Sequence, residues 1–178
     1  LALVVSRLRG FGPQHFARFQ PGGSLRWQLA VVEDVMRPVS ECRLALDSHR
    51  VRDVFVEASR PGRRSGAIML HDEQGRLTGI FTDSDLARLL ECRHDSALDA
   101  PISSVMTASP TTVAIGTPLP QAVDLLASRK FSELPVVDDS HRPAGLLDIT
   151  DVVALLPHEP AGEQEDPGTP TTIPFQKS

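Results

Sequence analysis

The residues whose types and spacing could best support chemistry are Gly79, Thr82 and Asp85, which stand three positions apart between an apolar run and a helix-like stretch. Glycine lets a ligand approach the backbone closely, and the free N–H groups at the start of a helix bind phosphate. The same spacing also forms a capping box, in which Thr82 caps the helix and the acid is favoured in its first turn. Two interpretations therefore stay open, a site for a phosphate-bearing ligand and a helix cap without a ligand.

The pattern occurs a second time as Gly145, Asp148 and Asp151, with aspartate in place of threonine. Aspartate is a good N-cap residue, but a second carboxylate repels a phosphate placed beside it. We therefore expect the first motif (Gly79, Thr82, Asp85) to be the better ligand site. Because neither motif has a lysine nearby, tight binding of a triphosphate is not expected.

The rest of the sequence excludes several function classes. The six histidines are scattered without the spacing of metal ligands, and neither a nucleophile elbow nor a phosphate-cradling P-loop is present. We therefore expect no metal site and no autonomous enzyme here. The net charge of −5 without a basic run argues against nucleic acid. No apolar stretch approaches the ~20 residues that span a bilayer, so no membrane partner is expected.

Two cysteines, Cys42 and Cys92, have no CxxC partner. This usage suits a reducing cytoplasm, and it predicts that both are small buried hydrophobic residues. Met36 and Met106 are likewise predicted to be core residues.

Both motifs belong to an internal repeat. Met36 and Met106 are 70 residues apart, and Gly79 and Gly145 are 66 apart. Offsets that differ so little indicate a duplicated unit, which we place at residues 31–95 and 101–156. A unit of about 60 residues buries too little surface to be stable alone, so we expect the two to pack as a pseudo-twofold pair with a cleft between them.

Each unit has the same predicted order, β-α-β-β-α, so the fold class is α/β. Ser48 and Thr82 are the predicted helix caps of the first unit; Thr117 is that of the second, with Pro118 at the first helical position. The predicted strands are residues 43–46, 67–70, 77–81, 112–115, 134–137 and 144–147. The helix residues predicted to be buried are Val51, Val54, Phe55, Ala58, Leu86, Leu89, Leu90, Leu119, Ala122, Val123, Leu126, Val152, Val153, Leu155 and Leu156.

Two segments lie outside the repeat. Leu1, Val4, Val5 and Leu8 share one helical face, so we expect residues 1–30 to be the end of a preceding domain followed by a short helical linker. Residues 157–178 contain five prolines and almost no large apolar side chain, which predicts a disordered tail.

The repeat and its motifs resemble the CBS (cystathionine-β-synthase) domain, which occurs in tandem pairs that often bind adenosine nucleotides. The family signature is a glycine, two mostly apolar residues, threonine or serine, two variable residues and aspartate. The first motif matches it in full, and the second departs at Asp148. The resemblance implies that Asp85 accepts hydrogen bonds from two ribose hydroxyls of an adenosine nucleotide or nucleotide-sugar, and no other cofactor is indicated. The ligand-binding residues that it implies are Gly79, Thr82, Asp85, Gly145 and Asp151.

The segment before the repeat is similar to the linker of bacterial arabinose-5-phosphate isomerases, which join a sugar isomerase domain to a CBS pair. The similarity lies in residues 8–25, including Pro21-Gly22-Gly23, and in the run 79–86. The resemblance covers residues 8–156 and implies a catalytic domain upstream that interconverts ribulose 5-phosphate and arabinose 5-phosphate. The family's linker histidine, implied to act in catalysis, is replaced here by Gln20, which cannot exchange a proton. We expect no catalytic residue within this chain.

Three functional hypotheses follow. In the first, the CBS pair is a dimeric, cytoplasmic regulatory module that binds a nucleotide near Thr82 and Asp85 and shifts a catalytic domain between states. In the second, the pair is a structural dimerisation module with an empty cleft. In the third, it stands alone or serves another parent protein, which the similarity of the linker argues against.

Overall fold

The computed structural model of the protein describes residues 27–58, 66–93 and 95–155. The predictions for the linker with Gln20, for Leu156 and for the tail at 157–178 lie outside these residues. Within the described part, no helix is both long and apolar enough to cross a membrane. The strands and α-helices, in chain order, are β1 (Arg37–Pro38), β2 (Arg43–Leu46), α1 (Val51–Glu57), β3 (Ala67–His71), β4 (Leu77–Thr82), α2 (Asp83–Glu91), β5 (Thr107–Ala108), β6 (Val113–Ala114), α3 (Leu119–Arg129), β7 (Glu133–Val137), β8 (Pro143–Asp148) and α4 (Ile149–Ala154).

The strands form two mixed four-stranded sheets of the same design. The first has the order β2-β3-β4-β5 and the second has the order β1-β8-β7-β6. In each sheet the first two strands of the unit pair in parallel, and the central hairpin, β3 with β4 or β7 with β8, is antiparallel. The predicted α/β repeat is confirmed, and the six predicted strands lie within about one residue of their predicted positions. The two-residue strands β1 and β5 were not predicted.

The outer strands of the two sheets are exchanged between the halves of the chain. Strand β1 pairs antiparallel with β8, with Arg37 opposite Leu146 and Pro38 opposite Gly145. Strand β5 pairs with β4 in the same way, with Ala108 opposite Gly79. Each sheet is therefore completed by a short strand from the beginning of the other unit. The division at 31–95 and 101–156 stays a prediction from the sequence, to which the pairing adds this exchange.

Alternating side chains of the central strands divide the core into layers. Ile68 and Leu70 of β3 pack with the helices of the first unit, whereas Ala67 and Met69 point to the opposite side. There they meet Val137 and other apolar residues of the second sheet. Because side chains alternate along a strand, one strand can serve both a sheet–helix layer and a sheet–sheet layer. The predicted packing of the two units is thereby accounted for.

Two predicted helix caps are wrong. The residue that precedes α1 is Arg50, in an extended conformation, and Ser48 lies in the turn before it. The residue that precedes α3 is Pro118. The Thr117 hydroxyl instead donates to the carbonyl of Ala114, 2.7 Å away. A short polar side chain bonds to a nearby turn as readily as to a helix end, which explains why the cap predicted at Thr117 is misplaced by one residue.

Three burial predictions are also wrong. Leu90 is 49% exposed, Leu155 is 52% exposed and Cys92 is exposed, whereas Cys42 is buried as predicted. Leu90 and Leu155 come at the last turns of α2 and α4, where the apolar stripe turns away from the sheet. Met36 and Met106 are partly buried against the two cores. The predicted face of α3, which includes Leu119 and Leu126, is buried.

Candidate ligand-binding site

The first motif lies where β4 ends and α2 begins. Thr82 is the N-cap of α2, and its hydroxyl accepts the N–H of Asp85 at 3.2 Å. In return, Asp85 Oδ2 accepts the backbone N–H of Thr82 at 2.9 Å and the Thr82 hydroxyl at 2.7 Å. These bonds satisfy two otherwise free donors at the helix start, so the capping interpretation is confirmed. A cap of this kind holds the Asp85 carboxylate at a fixed place on the helix end.

The other carboxylate oxygen of Asp85 has an exposed partner. Its Oδ1 accepts from the Arg88 guanidinium at 3.1 Å, on the same helix. The Arg88 side chain is 71% exposed, whereas that of Asp85 is 20% exposed. An exposed pair of this spacing contributes well under about 1 kcal/mol, so a ligand hydroxyl could replace it at little cost.

A cation that the sequence reasoning missed lies beside the first motif. Arg43 of β2 is buried, its guanidinium lies 5.4 Å from the centroid of the Phe55 ring, and it pairs with Asp83 at 3.1 Å. Asp83 is the first residue of α2. The absence of lysine near the motif was read correctly from the sequence, but an arginine 40 residues away along the chain supplies a positive charge. The only signal was a charged residue at the start of an apolar strand.

The glycines of both motifs make room for methionines. A Cβ at Gly79 would overlap the Sδ of Met106, and a Cβ at Gly145 would overlap the Arg37 carbonyl oxygen and come within 2.6 Å of Met36 Sδ. Since interiors are close-packed, neither position accepts a side chain without movement of its neighbours. Packing against the exchanged strands therefore explains why both positions are occupied by glycine. A ligand contact at the backbone of these glycines stays a prediction.

The second motif is organised differently around Asp148. This residue is the N-cap of α4, and its Oδ1 accepts from the backbone N–H and the hydroxyl of Thr150 at 2.8 and 2.7 Å. Its Oδ2 accepts from Arg37 at 2.7 Å, and Asp151 Oδ2 accepts from Arg37 Nε at 2.7 Å. The Arg37 side chain is 11% exposed. One guanidinium from β1 thus holds both carboxylates of the second motif.

Electrostatics strengthen this contact. Burial alone would lower the pKa of Arg37, but the hydrogen bond to Asp151 and the charges of Asp148 and Asp151 outweigh it and raise the pKa. The guanidinium is therefore firmly charged, and the pairs are charge-assisted hydrogen bonds between largely buried groups. Sequence reasoning identified Asp151 but not its partner, which lies 114 residues away.

Glu133, at the start of β7, extends the cluster toward the first unit. Burial, followed by the negative charge of Asp148, raises the pKa of Glu133 to about 7. The backbone N–H groups of Gly66 and Ala67 and the charge of Arg37 act in the opposite direction. A carboxylate of the second sheet is therefore held by the start of β3 in the first sheet. No local pattern around Glu133 indicates this raised pKa, since its causes come from segments that are distant along the chain.

The structure thus brings the five predicted site residues together in two groups, each at one strand–helix junction. Gly79, Thr82 and Asp85 form one group, beside β5, and Gly145 and Asp151 form the other, beside β1. In the first group the acid is held by its own helix, and in the second it is held by an arginine of the exchanged strand. The Asp85 and Asp151 side chains are almost equally exposed, at 20% and 18%, so the two groups differ in the partner of the acid. That the first group is the better ligand site stays a prediction.

Comparison with known proteins agrees with this fold. A family model described as the CBS domain matches residues 102–158. Arabinose 5-phosphate isomerase GutQ of Salmonella typhi is 34% identical over 152 residues, which are 85% of this chain and 46% of that protein. Arabinose 5-phosphate isomerase KdsD of Pseudomonas aeruginosa is 35% identical over 154 residues, 86% of this chain and 46% of that protein. The chain thus spans about half the length of these curated relatives.

Solved structures give the same result. CBSX2, crystallised in complex with AMP, superposes with a TM-score of 0.59 at 29% identity, covering 70% of this chain and 93% of that one. The structure of CBSX2 from Arabidopsis thaliana, described as a CBS-pair protein, superposes with a TM-score of 0.58 at 28% identity, covering 70% and 92%. The two sheets, the exchanged outer strands and these matches together identify the fold as a tandem pair of CBS domains, similar to the matching part of arabinose-5-phosphate isomerases.

Proposed function

We propose that this CBS pair binds an adenosine nucleotide or a nucleotide-sugar at the first motif and thereby regulates a sugar-phosphate isomerase domain of the same protein. The observation that carries the proposal is the state of Asp85. Its Oδ2 is fixed by the capping box, while its Oδ1 is bonded within the described residues to the exposed Arg88. This arrangement presents a positioned carboxylate that can exchange a weak partner for a ligand.

The chemistry of the site fits a nucleoside with one or two phosphates. A carboxylate accepts hydrogen bonds from two neighbouring hydroxyls, such as the ribose 2′ and 3′ groups. Arg43 and the amino terminus of α2 supply positive potential close by, which favours a phosphate. The comparison adds support, because CBSX2 has been crystallised with AMP and shares the fold at 29% identity. AMP is therefore the first ligand to test.

The regulatory role rests on the relatives. The curated proteins that match over 85% of this chain are named arabinose 5-phosphate isomerases, and they are about twice as long. We propose that a catalytic domain for arabinose-5-phosphate isomerisation belongs to the same protein, which works as a cytoplasmic homo-oligomer. Regulation requires the ligand to bind the catalytic states with different affinity, so AMP must change the rate of the full-length enzyme.

Calorimetric titration with AMP tests the binding site. Replacing Asp85 with asparagine removes a charged acceptor, which at about 1.5–3 kcal/mol corresponds to a loss of affinity of roughly 10- to 150-fold. Asp124→Asn, on the exposed face of α3, is the matched control, since it makes the same charge change away from the motif. Affinity that falls in both variants alike, or in neither, would contradict binding at the first motif. Circular dichroism confirms that both variants are folded.

The structural alternative is favoured by one observation, namely that the capping box is complete without a ligand. In that case the pair is a dimerisation unit only. Light scattering with and without AMP distinguishes the two functions. A dimer that forms equally in both conditions, together with an unchanged melting temperature and an unchanged isomerase rate, supports the structural role and excludes the regulatory one.

A further inference from the structure

The two motifs can be compared position by position because each has the same neighbour in the exchanged strand. Met36 and Met106 both donate their backbone N–H to the residue four positions earlier, at 2.8 and 2.9 Å. The next residues, Arg37 and Thr107, both enter the exchanged strands, β1 and β5. Arg37 pairs with Leu146 and Thr107 pairs with Ile80, which are equivalent positions of β8 and β4. Arg37 and Thr107 therefore occupy the same place relative to the two motifs.

The second motif and its exchanged strand differ from the first motif and its strand at two positions. The side chains at these two positions contact each other. Arginine replaces the equivalent of Thr107 at position 37, and aspartate replaces the equivalent of Thr82 at position 148. Their side chains are opposite in charge and lie 2.7 Å apart, with 11% and 13% exposure. The second bond of Arg37 is to Asp151, the equivalent of Asp85. The carboxylate that would hold ribose is therefore already bound by a group of the chain itself.

We infer that Arg37 closes the second ligand position from within the chain, so that this CBS pair offers one nucleotide position instead of two. The inference rests on the proposed function of the first motif. A ligand that used Asp151 would have to separate Arg37 from Asp148 and Asp151 and leave a largely buried charge unpaired. Such a penalty lowers affinity by at least about a hundredfold relative to an open motif. At the first motif, among the residues that the structure describes, Thr107 forms no such ion pair, because its side chain is short and uncharged.

The charged side chains around Arg37 also oppose ligand binding at the second motif. Asp148 is also held by Thr150, and Glu133 lies close enough for Asp148 to raise its pKa. Two carboxylates, those of Asp148 and Asp151, thus contact one guanidinium, and this excess of negative charge opposes a phosphate at this junction. At the first motif, by contrast, Asp83 and Asp85 are matched by Arg43 and Arg88.

The test is the stoichiometry of AMP binding to the full-length protein, measured by calorimetry. The double variant Arg37→Thr with Asp148→Thr gives the second motif the residues of the first and keeps the net charge. We expect it to bind one more AMP per chain than the unmodified protein, and we expect Asp151→Asn to abolish that additional binding. The control is Arg52→Thr with Asp99→Thr, which removes an exposed ion pair of 3.1 Å elsewhere and preserves the net charge in the same way.

Two outcomes would overturn the inference. The first is a folded double variant with unchanged stoichiometry. The second is an unmodified protein whose AMP binding is lost in Asp151→Asn or Arg37→Thr, which would mean that the second motif binds ligand through Arg37. Failure of the proposed function is recognised separately, since it is seen as AMP binding that does not respond to Asp85→Asn. Circular dichroism and the control variant establish that a null result does not arise from unfolding.

Discussion

Replacing Glu133 with glutamine tests the charge cluster that joins the two sheets. Glu133 lies at the start of β7, among the N–H groups of Gly66 and Ala67 and the charged groups of Asp148 and Arg37. Burial and the nearby negative charge raise its pKa from 4.5 to about 7. Glutamine keeps the shape and one acceptor oxygen but removes the charge, so the variant isolates the cost of ionisation.

The direction of the pH dependence follows from the proton affinity of the two states. An acid whose pKa is higher in the folded protein binds its proton more tightly there than in the unfolded chain. The contribution of Glu133 to the free energy of unfolding therefore falls as pH rises from about 4.5 to about 7 and levels off above that range. The difference between the two pKa values corresponds to about 3 kcal/mol, an upper figure because Glu133 keeps some access to water.

The assay is urea unfolding of the unmodified protein and the variant at a series of pH values from 4.5 to 8. We expect the stability of Glu133→Gln relative to the unmodified protein to increase by up to about 3 kcal/mol over this range. Subtracting the two curves removes the contributions of histidines and other groups that titrate in both proteins. Glu41→Gln is the matched control, since it makes the same change of charge at an exposed position.

A flat difference curve for Glu133→Gln would refute the reasoning. It would mean that the N–H groups of Gly66 and Ala67 and the charge of Arg37 stabilise the ionised form enough to cancel the cost of burial. A curve of the opposite slope would show that these favourable contacts dominate. In either case Glu133 would be an ordinary ionised link between the sheets at every pH at which the protein is folded.

Two further predictions concern the glycine of the first motif and the proposed parent enzyme. Gly79→Ala is expected to destabilise the protein by about 1–3 kcal/mol in urea unfolding, because its Cβ would overlap Met106. Gly66→Ala is the control and should cost less, because the nearest neighbour of its Cβ would be 3.8 Å away. Equal effects would show that Met106 moves aside freely. Arabinose-5-phosphate isomerisation by the full-length protein is expected to increase in Gln20→His, because histidine can exchange a proton near neutral pH. Equal rates in both proteins would show that this linker position is dispensable, and no turnover in either would count against the isomerase parent.

Local patterns in the sequence were sufficient for most of the fold. The runs that became β3, β4, β7 and β8 are apolar and bounded by turn residues, and the capping box at Thr82 marks the start of α2. These signals depend on neighbours within a few positions, which any reader of the sequence can see. The internal repeat then linked the two halves and allowed the first motif to be compared with the second.

The contacts that distinguish the two motifs could not be predicted from local patterns in the sequence. Strands β1 and β5 are two residues long, and their pairing with the opposite unit follows from the packing of the whole pair. The bonds of Arg37 to Asp148 and Asp151 span 111 and 114 residues. Glu133 meets Gly66 only because the two sheets pack against each other. Contacts between distant segments carry no periodicity in the sequence, so they require the structure.

The duplicated fold explains why the two motifs differ as a set. The Met–Gly contacts, Met106 on Gly79 and Met36 on Gly145, fix both exchanged strands in the same place, so the residue after each methionine always faces its motif. Arginine at that place requires acidic partners, since a buried guanidinium without them would be costly, and acids gathered there require a cation for the same reason. Asp148 and Arg37 therefore depend on each other, and at the second motif they form a link between β1 and the start of α4.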